Sequence, residues 1–80
     1  MTAEAADEAS RLPETIQGRI RDLLVRLEAW PNVSGAKRLR GPLSGQWRMR
    51  TGDYRIQFVL GEGQVVVVKI GHRHRFYEGR

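Results

Sequence analysis

The apolar residues of this chain change their spacing once, from the period of a helix to the period of a β-strand. Between residues 14 and 29 they recur every three or four positions, as on one stripe of an amphipathic helix: Ile16, Ile20, Leu23, Leu24 and Leu27. From residue 46 apolar and polar side chains alternate, which is typical of strands with one covered face. Eighty residues are enough for one domain. The switch predicts a single α+β domain, 1–80, with helices on one face of a small sheet.

Two helices are predicted within residues 2–30, as a helical hairpin. Residues 2–10 are rich in alanine and acids, which favours a short helix with little apolar surface to bury. Pro13 disfavours helical backbone in the residue before it and is well suited to begin the next helix. Pro31 ends that second helix.

Three strands are predicted within 46–73, over residues 46–51, 54–60 and 64–71. Gly52-Asp53 is a two-residue turn signal, and a second turn follows at residues 61–63. Turns this short predict an antiparallel meander. No alternating apolar run precedes the helices, so the expected sheet has three strands and an open edge, to which another chain could pair.

Alternation along the strands assigns side chains to the two faces of the predicted sheet. The apolar set is expected to face the helices: Trp47, Met49, Tyr54, Ile56, Phe58, Leu60, Val66, Val68 and Ile70. The opposite face then carries a basic set with no acid from the strands: Arg48, Arg50, Arg55, Gln57, Lys69 and Arg73. Val59, Val65 and Val67 are expected to share that face, which indicates a partly covered surface. Repulsion between the bases is costly unless an anion or a partner compensates it.

Charge is divided between the two halves of the chain, whose net charge is +5. Residues 1–34 hold four arginines and six acids, whereas residues 35–80 hold ten bases and three acids. Arginine presents a planar fork of donors suited to phosphate. The basic, arginine-rich second half therefore favours a polyanionic partner, with nucleic acid first and an acidic protein second. An ordinary solvated surface explains the charge alone equally well.

Several classes of protein are disfavoured. No cysteine is present, so neither a disulfide scaffold nor a thiolate metal site is expected. The first residues are acidic and no long apolar run follows, so we expect a soluble cytoplasmic protein with no membrane contact. His72 and His74 are spaced like metal ligands, but a third ligand is missing, so no metal and no cofactor is expected.

Two motifs in the second half resemble the RelE/ParE superfamily of type II toxins. The first is residues 37–56, KRLRGPLSGQWRMRTGDYRI, which is similar to the family's block of a leucine and glycine followed by an aromatic residue, two bases and GDYR. The second is residues 71–77, GHRHRFY, with a tyrosine near the C-terminus. The resemblance covers residues 12–80, and family members usually begin with a strand that this sequence lacks.

The resemblance implies a RelE-like mRNA endonuclease that acts in the ribosomal A site. In such toxins a ribose 2′-OH attacks the adjacent phosphate, which requires a base, cations around the phosphorane and a proton for the leaving oxygen. By resemblance Arg55 and Arg73 bind the phosphate and stabilise the transition state, and Arg48 and Arg50 orient RNA. Tyr77 stacks on a base or acts as general base, since neighbouring guanidiniums favour a phenolate. His72 and His74 are alternative proton-transfer groups, followed by Glu78. Further RNA contacts are expected from the remaining bases: Lys37, Arg38, Arg40, Lys69 and Arg75.

The resemblance also implies a partner. Toxins of this kind form hetero-oligomers with an acidic antitoxin, here expected to lay a helix across the basic, partly apolar face. Two other functions stay open. One is a ParE-like toxin, which shares the fold but poisons DNA gyrase through protein contacts. The other is a degenerate toxin that only binds its antitoxin.

Overall fold

Two helices precede a four-stranded antiparallel sheet in this computed structural model, which describes residues 1–74. The helices are α1 (Ala3–Ser10) and α2 (Glu14–Leu27). The strands are β1 (Lys37–Arg38), β2 (Gln46–Thr51), β3 (Tyr54–Gly61) and β4 (Gln64–His72), and they lie side by side in chain order. The predicted α+β arrangement is confirmed. No helix in the described part of the chain is long and apolar enough to cross a membrane.

The prediction of three strands was wrong. The additional strand, β1, contains only Lys37 and Arg38, which pair with Arg48 and Trp47 of β2. Two charged residues show no apolar alternation, so the pattern that reveals the longer strands is missing here. A short 3₁₀ turn at Gly41–Leu43 connects β1 to β2.

The core forms where the stripe of α2 meets the sheet. Ile20, Leu23 and Leu27 are buried against the inward residues of the strands, which include the fully buried Ile56 and Phe58. Trp30 closes one end, where its ring meets those of Trp47 and Phe58 edge-to-face at centroid distances of 4.9 and 5.4 Å. This packing leaves the other face of the sheet without a helix over it in residues 1–74.

An extra residue in β4 reverses part of the predicted alternation. The ladder pairs Gln57 with Lys69 but Phe58 with Val67, so β4 has one residue more than β3 at this point. Val67 is therefore 5% exposed in the core and Val65 packs against it, whereas Val66 pairs with Val59 on the opposite face. The expectation that Val66 and Val68 face the helices, and Val65 and Val67 face away, was wrong. Strict alternation holds only for a strand without a bulge.

Helix α1 lies along the outer side of β4. The backbone N–H of Thr2 donates to the carbonyl of Val67 at 2.9 Å. The carboxylate of Glu8 accepts from the backbone N–H of Ile70 at 2.9 Å. Ala5 is completely buried, and its small side chain lets α1 lie close to β4. Helix α1, which was predicted to bury little apolar surface, thus satisfies backbone groups along the β4 edge of the sheet, where an open edge was expected.

Candidate nucleic-acid interface

The helix-free face of the sheet gathers five of the six basic side chains in the described strands. One row across the sheet joins residues that pair in register: Lys37, Arg48, Gln57 and Lys69. In the next row towards the β2–β3 turn, Arg50 lies directly opposite Arg55, which pairs with Gly71 on its other side. We call Lys37, Arg48, Arg50, Arg55 and Lys69 the basic face. Paired residues on neighbouring strands point to the same side, so these five bases share one surface.

A pair of amide side chains lies among these bases. Gln57 is only 6% exposed although no helix of residues 1–74 covers it. Its amide donates to the side-chain oxygen of Gln46. Long basic side chains on a sheet bury their aliphatic stems against neighbours and keep their charged ends in water. The basic face is therefore a packed surface rather than a set of independent side chains.

The β2–β3 turn sets the distance between Arg50 and Arg55. The pairing of Thr51 with Tyr54 leaves a loop of two residues, Gly52 and Asp53. Gly52 has a φ of 57°, and a Cβ added there would lie 3.4 Å from the guanidinium of Arg19. Positive φ is what a two-residue hairpin loop requires, and glycine supplies it without strain. The turn predicted from Gly52-Asp53 is thus what places the two arginines opposite each other.

Arg73 is held beside this turn, just beyond the end of β4. Its backbone N–H donates to the carbonyl of Asp53 at 2.7 Å, and its side-chain Nε lies 3.6 Å from Asp53 Oδ1. Arg73 follows Gly71, the partner of Arg55, by two residues, so alternation places it on the side of Arg55. Asp53 brings a negative charge to the end of the face where the strands supply only positive ones.

Two of the predicted RNA contacts lie elsewhere. Arg38 pairs with Trp47, and its guanidinium sits 5.1 Å from the centre of the indole ring, on the helix side of the sheet. This cation–π contact stabilises the end of the core. Arg40 is exposed in the segment between β1 and the 3₁₀ turn. Neither belongs to the basic face.

His72 and His74 lie on the helix side, away from the basic face. His72 pairs with Tyr54 in register, and their rings meet edge-to-face at 5.1 Å. The ring of His74 stacks on that of His72 at 5.0 Å, and the His74 backbone N–H donates to His72 Nδ1 at 3.1 Å. The structure therefore keeps both imidazoles apart from the arginines with which they would share proton transfer. The remaining predicted residues, Arg75, Tyr77 and Glu78, lie outside the described residues.

Sequence reasoning missed the polar residues that organise the site. Asp53 was interpreted only as part of a turn, and Gln46 only as the first residue of a strand. The available signal for Asp53 is its place in GDYR, two residues before Arg55 on the same side of the chain. For Gln46 no signal in the sequence indicates the amide pair, because that pair depends on strand register.

The other end of the helix-free face is apolar. Val59 and Val66 are half-buried partners there, next to Gln46. The face therefore runs from valines near the β3–β4 turn to arginines near the β2–β3 turn. Adjacent guanidiniums can bind a phosphate group from two sides, and the opposed pair Arg50–Arg55 gains most from an anion because like charges directly opposite destabilise a sheet.

A family model covers almost all of the chain. Residues 2–77 match the ParE toxin of the type II toxin-antitoxin system, parDE. The chain belongs to the ParE toxin family. The motif region of residues 37–56 and the described part of the GHR segment both lie within the match, which confirms the resemblance to the RelE/ParE superfamily. No curated protein sequence matches the chain.

Solved structures of toxin–antitoxin complexes share the fold of this ParE-family chain. One is the RelBE2 complex of Mycobacterium tuberculosis, with 24% identity and a TM-score of 0.78 over 90% of this chain and 91% of the other. Another is the RelB–RelE complex of Methanococcus jannaschii, with 18% identity and a TM-score of 0.79 over 96% of this chain and 93% of the other. At these identities the likeness establishes the architecture of two helices on an antiparallel sheet.

Proposed function

We propose that this toxin-family chain is an endoribonuclease of the RelE type, which cleaves mRNA in the ribosomal A site. The observation that carries the proposal is the opposition of Arg50 and Arg55 on the helix-free face, with Arg48 one row away and Arg73 held at the same end. RNA strand cleavage by a 2′-OH passes through a phosphorane with additional negative charge. Preorganised cations around that charge stabilise the transition state, and electrostatic stabilisation of this kind is usually the largest single contribution to catalysis.

The arginines take different parts in this reaction. Arg55 and Arg73 bind the scissile phosphate and stabilise the phosphorane, while Arg48 and Arg50 hold the RNA backbone on either side. Lys37 and Lys69, at the two ends of the row through Arg48, extend the positive surface along the strand. Tyr77 is proposed as the base that takes the 2′-OH proton.

An acidic antitoxin is the proposed protein partner, in a toxin–antitoxin hetero-oligomer. The helix-free face offers charge at one end and valines at the other, which suits an amphipathic helix with acids towards Arg50 and apolar residues towards Val59 and Val66. Binding there would cover the phosphate site, so the same surface serves RNA and inhibitor in turn.

Cleavage of translated mRNA tests the proposal directly. We expect wild-type chain in a purified translation system to yield transcripts cut at codons, and Arg55→Ala to lower the rate by about 100-fold because it removes a cation at the phosphorane. Arg21→Ala is the matched control, since Arg21 is an exposed arginine on α2, on the other side of the sheet. Loss of cleavage equal to that of Arg55→Ala in the control would contradict the site, and no cleavage by wild type would contradict the function.

A ParE-like action on DNA gyrase is the second candidate. The description of the matching family, ParE of the parDE system, favours it. A supercoiling assay separates the two functions: inhibition of gyrase by the wild-type chain, together with intact transcripts, supports the ParE-like function. A chain that does neither and still binds an antitoxin would be the degenerate toxin.

A further inference from the structure

Asp53 contacts Arg73 through both its backbone and its side chain. The carbonyl of Asp53 accepts the Arg73 backbone N–H at 2.7 Å, which continues the β3–β4 ladder one position past its last pair, Tyr54–His72. The carboxylate oxygen Oδ1 lies 3.6 Å from Arg73 Nε. Residue 73 is thus tied at two points to the turn that positions Arg50 and Arg55.

We propose that Asp53 is a positioning residue that directs the guanidinium of Arg73 to the scissile phosphate. The inference rests on the proposed endoribonuclease function. Within residues 1–74 Asp53 is the acid that contacts Arg73, and the ion pair joins its Oδ1 to Nε. A guanidinium has donors on more than one edge, so the terminal nitrogens can bind a phosphate oxygen while Nε stays with the carboxylate.

Stability does not explain this ion pair. The side chains of Arg73 and Asp53 are 51% and 61% exposed. Exposed ion pairs contribute little to folding because solvent screens them and both side chains lose freedom. The ion pair can instead affect the rate of cleavage by orienting Arg73, since a small displacement of a catalytic group lowers a rate strongly. The pair also places a carboxylate beside arginines that repel one another in the absence of RNA.

A double-mutant cycle on ribosome-dependent cleavage tests the proposal. We expect Asp53→Asn to lower kcat roughly 10-fold with little change in KM, since orientation rather than binding is lost. In an Arg73→Ala background the same change is expected to have no further effect, because the residue it positions is already gone. Asp53→Glu is expected to recover part of kcat. Glu62→Gln is the control, because Glu62 is an exposed acid in the turn at the other end of β3.

Equal losses from Asp53→Asn with and without Arg73 would overturn the proposal, as would an unchanged kcat in the single variant. Thermal melting of each variant shows whether a loss reflects folding. A second measurement does not depend on activity: the Nε–H signal of Arg73 in ¹⁵N NMR is expected to be resolved in wild type and averaged with free arginines in Asp53→Asn. If wild type cleaves no RNA, the proposed function fails, and this signal still decides whether Asp53 orients Arg73.

Discussion

Under the proposed function, Arg50 and Arg55 are the pair of residues at which RNA binding and stability compete. They lie directly opposite each other on neighbouring strands, where like charges destabilise a sheet. Nothing in the core requires two arginines at these positions, because both lie on the face away from α2. The repulsion between them lowers the stability of the unbound chain, and an anion that binds there recovers this free energy.

Arg50→Gln is predicted to stabilise the free chain and to weaken RNA binding. Removing one of two opposed charges should raise the free energy of unfolding by about 0.5 kcal/mol. For a domain of this size that is a rise in Tm of roughly 2–4 °C. Arg21→Gln, on the exposed side of α2, removes the same charge without such a neighbour and should leave Tm nearly unchanged. A Tm for Arg50→Gln equal to or below wild type would contradict the idea of stored repulsion.

The placement of single residues could be predicted where a strand is long enough to show alternation. Arg48, Arg50 and Arg55 were expected on the helix-free face, and the register puts them there. Arg38 was assigned to the RNA surface from its charge alone, because a strand of two residues shows no period. Asp53 could not be recognised as the partner of Arg73, since their contact depends on where β4 ends relative to the turn.

At the scale of elements, the extra residue in β4 decides which valines enter the core. Residues 65–68 are all valine, so composition does not indicate where the strand takes up the additional residue. The helix boundaries and the two long hairpins were predictable because prolines and glycines mark their ends. A bulge within an unbroken apolar run leaves no such mark.

Deleting one of these four valines is predicted to preserve both faces of the sheet. The shortened strand can pair without a bulge, with Lys69 still opposite Gln57 and a valine still opposite Phe58. Cleavage activity and the NOE pattern of β3 with β4 should therefore stay as in wild type. Deletion of Val59 is the comparison, because β3 pairs on both sides and a lost residue breaks two ladders. If both deletions unfold the chain, the extra residue has a structural role of its own.

The contact of α1 with β4 carries a second prediction at this scale. Glu8→Ala removes the acceptor of the Ile70 amide and should lower the free energy of unfolding by about 1 kcal/mol. Glu8→Gln keeps an acceptor oxygen and should lose less. Urea denaturation gives the free energies, and hydrogen exchange of the Ile70 amide reports the bond itself. Glu4→Ala, an exposed acid in the first turn of α1, is the control; equal protection of Ile70 in wild type and Glu8→Ala would exclude the bond in solution.

For the molecule as a whole, charge is separated by face as well as by sequence. Five bases of the second half, Lys37, Arg48, Arg50, Arg55 and Lys69, share one side of the sheet, while the acids of the first half lie on the helices or at their ends. A net charge of +5 arranged in this way favours association with a polyanion and makes that association depend on salt.

The affinity for a non-cleavable RNA strand is predicted to fall steeply with salt. Contacts to about four phosphates give a slope near −3 in a plot of log K against log salt for single strands. Arg55→Gln should reduce that slope by about 0.7. The same change at Arg21 should not alter it, since that side chain is on the exposed side of α2. A slope near zero for wild type would contradict phosphate binding by the basic face.

The two rims of the sheet in residues 1–74 are protected against self-association by different means. On one rim, two adjacent bases form the whole strand, so copies repel before their backbones meet. On the other rim, the first helix occupies the amide of Ile70 and the carbonyl of Val67. If α1 detached, the edge of the valine-rich strand β4 would become free to pair with another chain while the core is still intact. Substitution of Glu8 should therefore cause fibrils or aggregates under conditions in which the domain is still folded.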